Sequence, residues 1–197
     1  MPTSPLPPTA WAVLGLLSFP GERTGYELKK WADASLRFFY GAPAFSQIYA
    51  ELRRLEGLGH VTSRQSGPEE PRAKRAYAIT EAGRSALAAW AEGRDADAVT
   101  LKHPVVLRVW LGHLAEPERL RTLVEEHLAR TEGELKEVRG ALARADGVEA
   151  WAHPQIALRW SERHLLAEVE LTRGMLADLA ALPPAPGQPA GDSPTGG

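Results

Sequence analysis

The chain has 197 residues, 24% of them charged, a net charge of −2 and no cysteine. That length holds one compact domain and a smaller partner, and the lack of thiols excludes a disulfide framework and a thiolate metal site. No apolar stretch approaches the ~20 residues that span a bilayer. The opening MPTSPLPPTA lacks the basic start and long apolar run of a secretory signal, so a cytoplasmic protein is expected.

The charge is unevenly spread. Residues 1–94 hold 12 Lys/Arg against 9 Asp/Glu, a balance of +3, and residues 95–197 hold 11 against 16, a balance of −5. A cationic front and an acidic rear suit a protein that meets a polyanion with one end.

Residues 1–9 read as a disordered N-terminus. Trp11 to Leu17 reads as a short buried helix, ended by Phe19-Pro20-Gly21. Thr24 is placed to cap the next helix, to which Tyr26, Leu28 and Trp31 give apolar contacts. Phe38, Phe39 and Tyr40 form an aromatic cluster before a Gly-Ala-Pro turn.

The most informative stretch follows, FSQIYAELRRLEGLGHV from Phe45 to Val61. Ile48, Leu52 and Leu55 recur at helical spacing and make a narrow apolar stripe, which Phe45 extends at the front. Ser46, Ala50, Arg53, Arg54 and Gly57 fall on the opposite side. That face suits a helix laid in a nucleic-acid groove, where Ser46 and Gln47 reach base edges and arginines meet phosphates. The bland reading of Arg53 and Arg54 is a pair of solvated surface charges. Tyr49, at the edge of the stripe, either packs in the core or carries its hydroxyl to a phosphate.

Gly57 and Gly59 are positioned to end this helix. Two extended runs come next, His60 to Gln65 and Ala73 to Ile79, joined by the surface loop Ser66 to Arg72. A helix running into a β-hairpin is the core of a winged helix, with Arg72, Lys74 and Arg75 where the wing meets a DNA backbone. Lys74 and Arg75 alternate across a strand, so only one of them faces the DNA. Glu69 and Glu70 at the wing tip repel phosphates and move the contact to the wing's base. Thr80 is a good cap for a helix from Glu81 to Gly93. Gly93 to Thr100 is a polar linker.

The second half is helical in another style. From Pro117 to about Ala145, Val124, Leu128, Thr131, Leu135, Val138 and Leu142 alternate four-three, the spacing of a coiled-coil seam. After a break at Ala145 to Pro154, Leu165, Val169, Thr172, Leu176 and Leu179 repeat it. Two such helices form an antiparallel hairpin, with the stripes either shared with a partner or used up within one chain. The last 15 residues contain five prolines and four glycines and read as a disordered tail, residues 183–197.

Catalytic chemistry finds little footing. The six histidines never pair at two-to-four spacing, so no metal face is read and no metal or cofactor is expected. There is no Gly-rich phosphate loop, nucleophile elbow or cysteine nucleophile. The chain is not expected to be an enzyme.

Three blocks resemble the PadR-like transcriptional regulators, bacterial winged-helix repressors. Ala12 to Lys30 resembles the family's first helix, turn and Gly-Tyr-Glu opening of the second. Ser46 to Val61 resembles its recognition helix, and Lys74 to Leu87 its second wing strand and following helix. The blocks cover roughly the first ninety residues in the family's order. Ala50 stands where many relatives carry proline after the Ile-Tyr pair, a position that varies in the longer subgroup.

The resemblance implies a mostly α fold with a small β-hairpin wing: a winged helix-turn-helix domain at 10–94 and a helical, coiled-coil-like dimerisation domain at 95–182. It implies a homodimeric repressor on a palindromic operator, pairing through its C-terminal helices. Ser46, Gln47 and Ala50 then face base edges, and Tyr49, Arg53, Arg54, Arg72, Lys74 and Arg75 hold the backbone. Some relatives bind flat aromatic compounds, which makes Trp11, Trp90 and Trp110 an expected effector pocket; the bland reading is that they are core anchors. The competing class is a winged helix that has lost DNA binding and serves as a dimerisation adaptor.

Overall fold

A computed structural model describes residues 6–65, 75–93 and 98–183. In chain order its elements are α1 (Pro8–Leu17), β1 (Arg23–Thr24), α2 (Gly25–Ala34), α3 (Phe45–Gly57), β2 (Val61–Gln65), β3 (Arg75–Ile79), α4 (Glu81–Ala91), α5 (Pro104–Trp110), α6 (Pro117–Ala145) and α7 (Ala152–Ala180). The fold is thus mostly helical with a small antiparallel sheet, as expected. Two compact units form: residues 1–100 with 136–162, and residues 101–135 with 163–197.

The first unit's core is aliphatic. Val13, Leu14 and Leu17 of α1, Leu28 of α2 and Ile48, Leu52 and Leu55 of α3 are fully buried together, with Val61 and Tyr77 of the sheet closing one side. Helix α1 starts at Pro8, inside the stretch expected to be disordered, and Leu6 packs on the core. Proline costs a first helical turn nothing, since its missing N–H has no partner there and its φ is already helical. The expected cap at Thr24 is present as a reciprocal box. Thr24 Oγ1 accepts from Glu27 N–H at 3.3 Å, and Glu27 Oε2 accepts from Thr24 N–H at 2.8 Å.

The sheet has three strands, in the order β1-β3-β2. Val61 pairs with Ile79 and Gln65 with Arg75 in the hairpin, while Arg23 pairs with Tyr77 on the other edge. Two residues make β1, too few to show an alternation in sequence, which is why only a hairpin was legible. Its loop, Ser66 to Arg72, with Lys74, lies outside the described residues.

Helix α3 ends as its glycines suggest: Leu58 is the last capping residue and Gly59 takes a φ of 74°, a left-handed conformation that costs glycine no steric penalty. Helix α4 then docks on that turn. Thr80 Oγ1 accepts from Gly83 N–H at 3.0 Å and donates to Gly59 O at 2.7 Å, and Thr80 N–H donates to His60 O at 3.0 Å. The approach is so close that a Cβ on Gly83 would lie 2.2 Å from His60 O.

Each long helix buries much of its expected stripe within one chain, while Leu128, Leu142, Leu176 and Leu179 are only half-buried. In the second unit Leu120, Val124, Thr131 and Leu135 of α6 are buried, as are Leu165, Val169 and Thr172 of α7. In the first unit the same rows continue through Val138, Ala141 and Ala145, and through Leu158 and Ser161. The helices run antiparallel: Glu132 is ion-paired with Arg173 in the second unit and Arg139 with Glu162 in the first. The fully buried part of each stripe is covered within one chain. The apolar surface left over is elsewhere in the second unit, at Leu107, Trp110, Leu114 and Leu171, all more than half exposed. Among the described residues no helix is long and apolar enough to cross a membrane.

Gly83→Ala should destabilise the protein by roughly 2–3 kcal/mol, the upper range for an inserted methyl, because the clash is with backbone that a side-chain rotation cannot relieve. Urea unfolding followed by circular dichroism measures it. A loss under about 0.5 kcal/mol would mean that α4 does not seat on the Gly59–His60 turn.

Candidate nucleic-acid interface

With Ile48, Leu52 and Leu55 at 0% exposure, α3 has no rotational freedom, and its opposite side is open. Ser46, Gln47, Tyr49, Ala50, Arg53, Arg54 and Gly57 are all exposed on it. Phe45 does not extend the core stripe as expected. It is 45% exposed and stacks on Tyr26, ring centroids 6.3 Å apart, because it occupies the first position of the helix, ahead of the buried turn.

Individual side chains on this face differ in how free they are. Gln47 Oε1 accepts from Ala44 N–H at 2.8 Å and so holds the start of the helix. Arg54 Nε lies 3.1 Å from Glu51 Oε2, an ion pair with the one carboxylate that α3 buries. No ion-pair partner of Arg53 is found among the described residues. Tyr49 settles between its two readings: its ring lies against Gly25 at the start of α2, so near that a Cβ on Gly25 would lie 2.6 Å from the ring, yet the side chain is still partly in solvent.

At the wing's base Arg75 is committed. Its Nη2 donates to both Glu56 oxygens at 3.0 and 3.1 Å, its Nε donates to Ser63 Oγ at 2.7 Å, and Ser63 Oγ donates in turn to Glu56 Oε1. The guanidinium also sits 5.8 Å from the centre of the Tyr77 ring. Burial pushes the Tyr77 hydroxyl pKa up; the positive charges of Arg75 and Arg53 work against that rise, and Glu56 and Tyr49 add to it. Arg72 and Lys74 lie outside the described residues. Sequence reasoning missed Glu51 and Glu56, since a carboxylate on a cationic helix face reads as solvated until its partner is seen.

The tryptophans separate. Trp11 and Trp90 stack on each other in the first unit, 5.3 Å apart and 14° from parallel, so each already occupies a face that a flat ligand would use. Trp110 belongs to the second unit and is 76% exposed.

A second polar cluster lies in the second unit, with no signal in the spacing of its members. His103 Nε2 is 2.7 Å and His127 Nε2 2.8 Å from the same oxygen, Glu168 Oε1. Burial acts to raise the Glu168 pKa, but the hydrogen bonds and charges of His127 and His103 outweigh it and hold the carboxyl below its usual value.

Residues 13–89, which run from the second half of α1 through most of α4, match the Transcriptional regulator PadR-like family. Over those residues the chain carries the pattern of that family. It is similar to the negative transcriptional regulator PadR of Bacillus subtilis, 27% identical over 131 residues that cover 66% of this chain and 71% of that protein. The crystal structure of Bacillus subtilis PadR with operator DNA superposes with a TM-score of 0.74 at 22% identity, over 86% of this chain and 98% of that one. A Streptococcus mutans protein gives a TM-score of 0.75 at 26% identity, over 85% and 98%. Bacillus subtilis PadR has also been solved with p-coumaric acid, with a TM-score of 0.67 at 21% identity, over 89% and 99%. The chain shares the winged-helix fold of these PadR-like proteins, and the matched family is one of transcriptional regulators rather than enzymes.

Glu56→Ala should release Arg75 toward any nearby phosphate. Stability should fall by no more than about 1 kcal/mol, since both partners are partly exposed. The salt dependence of binding to DNA of arbitrary sequence should steepen by about one unit of slope. A fluorescence-anisotropy titration at several salt concentrations reads it, and an unchanged slope places Arg75 away from the backbone.

Proposed function

We propose that this PadR-like protein is a homodimeric repressor that binds a palindromic operator through α3. The observation that carries the reading is the open ridge Ser46–Gln47–Ala50–Arg53, held outward by three buried aliphatic residues on the other side of the same helix. Small Ser46 and Ala50 let the helix approach a major groove, and Ser46 and the Gln47 amide group meet base edges there. Arg53 and Tyr49 hold phosphates, joined by Arg54, Arg72, Lys74 and Arg75 around the wing's base. Pairing of residues 95–182 is supported by the exposed Leu107, Trp110, Leu114 and Leu171. Residues 10–94 then act as the DNA-binding domain.

A two-fold dimer sets its half-sites roughly 34 Å apart or at a multiple of that. The charge of each DNA-binding half is modest, so two copies are needed for affinity at physiological salt. Bacillus subtilis PadR has been crystallised with p-coumaric acid, which supports a small aromatic effector here as well. Trp110 offers an open indole face for it in the second unit, and Trp11 and Trp90 offer another within the first unit if their stack opens.

Selection of genomic fragments at two salt concentrations tests the proposal: a repressor enriches one palindrome, whereas enrichment of nothing leaves a dimerisation adaptor. On the operator so found, Arg53→Ala should weaken binding to all sequences and flatten the salt dependence by about one unit of slope. An unaltered slope would remove Arg53 from the phosphate contacts. Gln47→Ala should relax the preference at one base pair, and selectivity identical to the parent protein's would take Gln47 out of the readout.

A further inference from the structure

The DNA-binding reading leaves the second unit's His103, His127 and Glu168 unused. We propose that these three side chains form a binding site for one divalent transition-metal ion of the zinc type.

The three come from three elements: His103 just before α5, His127 in α6 and Glu168 in α7. Their donor atoms all lie within 4.8 Å of one another. Their side chains are 16–18% exposed, enough shelter to strip an ion of most of its water and enough opening to let it in. The imidazoles meet edge to face, 5.1 Å between centroids and 71° between planes, and both Nε2 atoms reach the same Glu168 oxygen.

The turns that carry two of the donors are firmly held. Thr131 Oγ1 donates to His127 O at 3.0 Å and Thr172 Oγ1 to Glu168 O at 2.8 Å, and both threonines are buried in the α6–α7 seam. Preset ligand positions of this kind are what a metal site requires.

A tetrahedral ion with bonds of about 2.0–2.1 Å separates its donors by roughly 3.3 Å. The present 2.7 and 2.8 Å contacts therefore need to open by only about half an ångström. Two imidazoles and a carboxylate suit zinc, nickel or cobalt, whereas magnesium and calcium prefer all-oxygen shells. Three protein donors leave a fourth position for water.

The protons define what an ion must displace. His103 Nδ1 accepts from Val106 N–H at 3.2 Å, so the proton of the neutral ring sits on Nε2 and points at Glu168. An ion at Nε2 takes that place and sends the proton to Nδ1, where it faces the Val106 N–H. Metal loading therefore releases the cap on the first turn of α5, and the ion's arrival is transmitted to that segment.

Calorimetric titration of the metal-free full chain with zinc should show one ion per chain at micromolar affinity or better, and titration with magnesium none. Cobalt should give the intense visible absorption of a four-coordinate centre. His127→Ala and Glu168→Gln should each weaken zinc binding at least tenfold, with thermal unfolding confirming that the variants fold. Hydrogen exchange at the Val106 amide should speed up on loading. Zinc binding that survives both substitutions, a weak octahedral cobalt spectrum on the parent chain, or no zinc uptake at all overturns the proposal; the cobalt spectrum and the uptake need no variant to fold.

Discussion

The burial of Ile48, Leu52 and Leu55 is the constraint on which the rest of the DNA-facing half depends. A 13-residue helix is marginal by itself, and each of these side chains, fully out of water, contributes about 1.5–3 kcal/mol. A rotation of one residue about the helix axis swings the stripe by roughly 100°. It would put Arg53 or Arg54 toward an aliphatic core and leucine into solvent. The outward set is thus chosen by what is packed inward: Ser46, Gln47, Ala50 and Arg53 share a face because their neighbours at the complementary positions cannot be anywhere else.

That face carries less free charge than the sequence suggests. Arg54 is paired with Glu51, Arg75 with Glu56, and Arg64 with Glu22 at 2.6 Å, all within the winged helix. The two more exposed pairs, Arg75–Glu56 and Arg64–Glu22, contribute little to stability. Their larger effect is to lower the field that the domain presents to a polyanion, so that counterion release gives each copy only a weak, unspecific hold. In the proposed repressor, discrimination between sequences then rests on fit in the groove and on the pairing of two copies. A regulator with a few free cations and several tethered ones dissociates readily from random DNA.

Some of this was legible in the sequence and some was not, for physical reasons. The α3 stripe, the Thr24 and Thr80 caps, the Gly59 terminus and the α6 and α7 seams were readable because each depends on neighbours within about four residues. Strand β1 escaped notice because two residues have no period. Pro8 was assigned to a disordered tail because prolines crowd the first eight residues, although one of them is well suited to open a helix. Glu51, Glu56 and the His103–His127–Glu168 cluster depend on partners three to 65 residues away, with the distant ones brought close only by tertiary packing. Tyr49 lays its ring on Gly25, where a Cβ would collide with it, and stays partly in solvent.

The α6–α7 pairing shows where specificity lies when a seam is partly polar. Thr131, Ser161 and Thr172 are buried in it, and each hydroxyl is satisfied by the carbonyl four residues earlier in its own helix, at 3.0, 2.9 and 2.8 Å. None of these three bonds crosses between helices, so the buried hydroxyls add shape but no tie against sliding. The ties that do cross sit at its edges: Glu132 with Arg173 and His127 with Glu168 in the second unit, Arg139 with Glu162 and Gln155 with Ala145 O in the first. Exposed ion pairs hold register weakly. The half-buried His127–Glu168 contact is sheltered from solvent and joined by His103 from a third element, so it resists slippage more than its neighbours do. A change in what those three side chains bind therefore acts on the contact that a shift of α6 against α7 would first have to break.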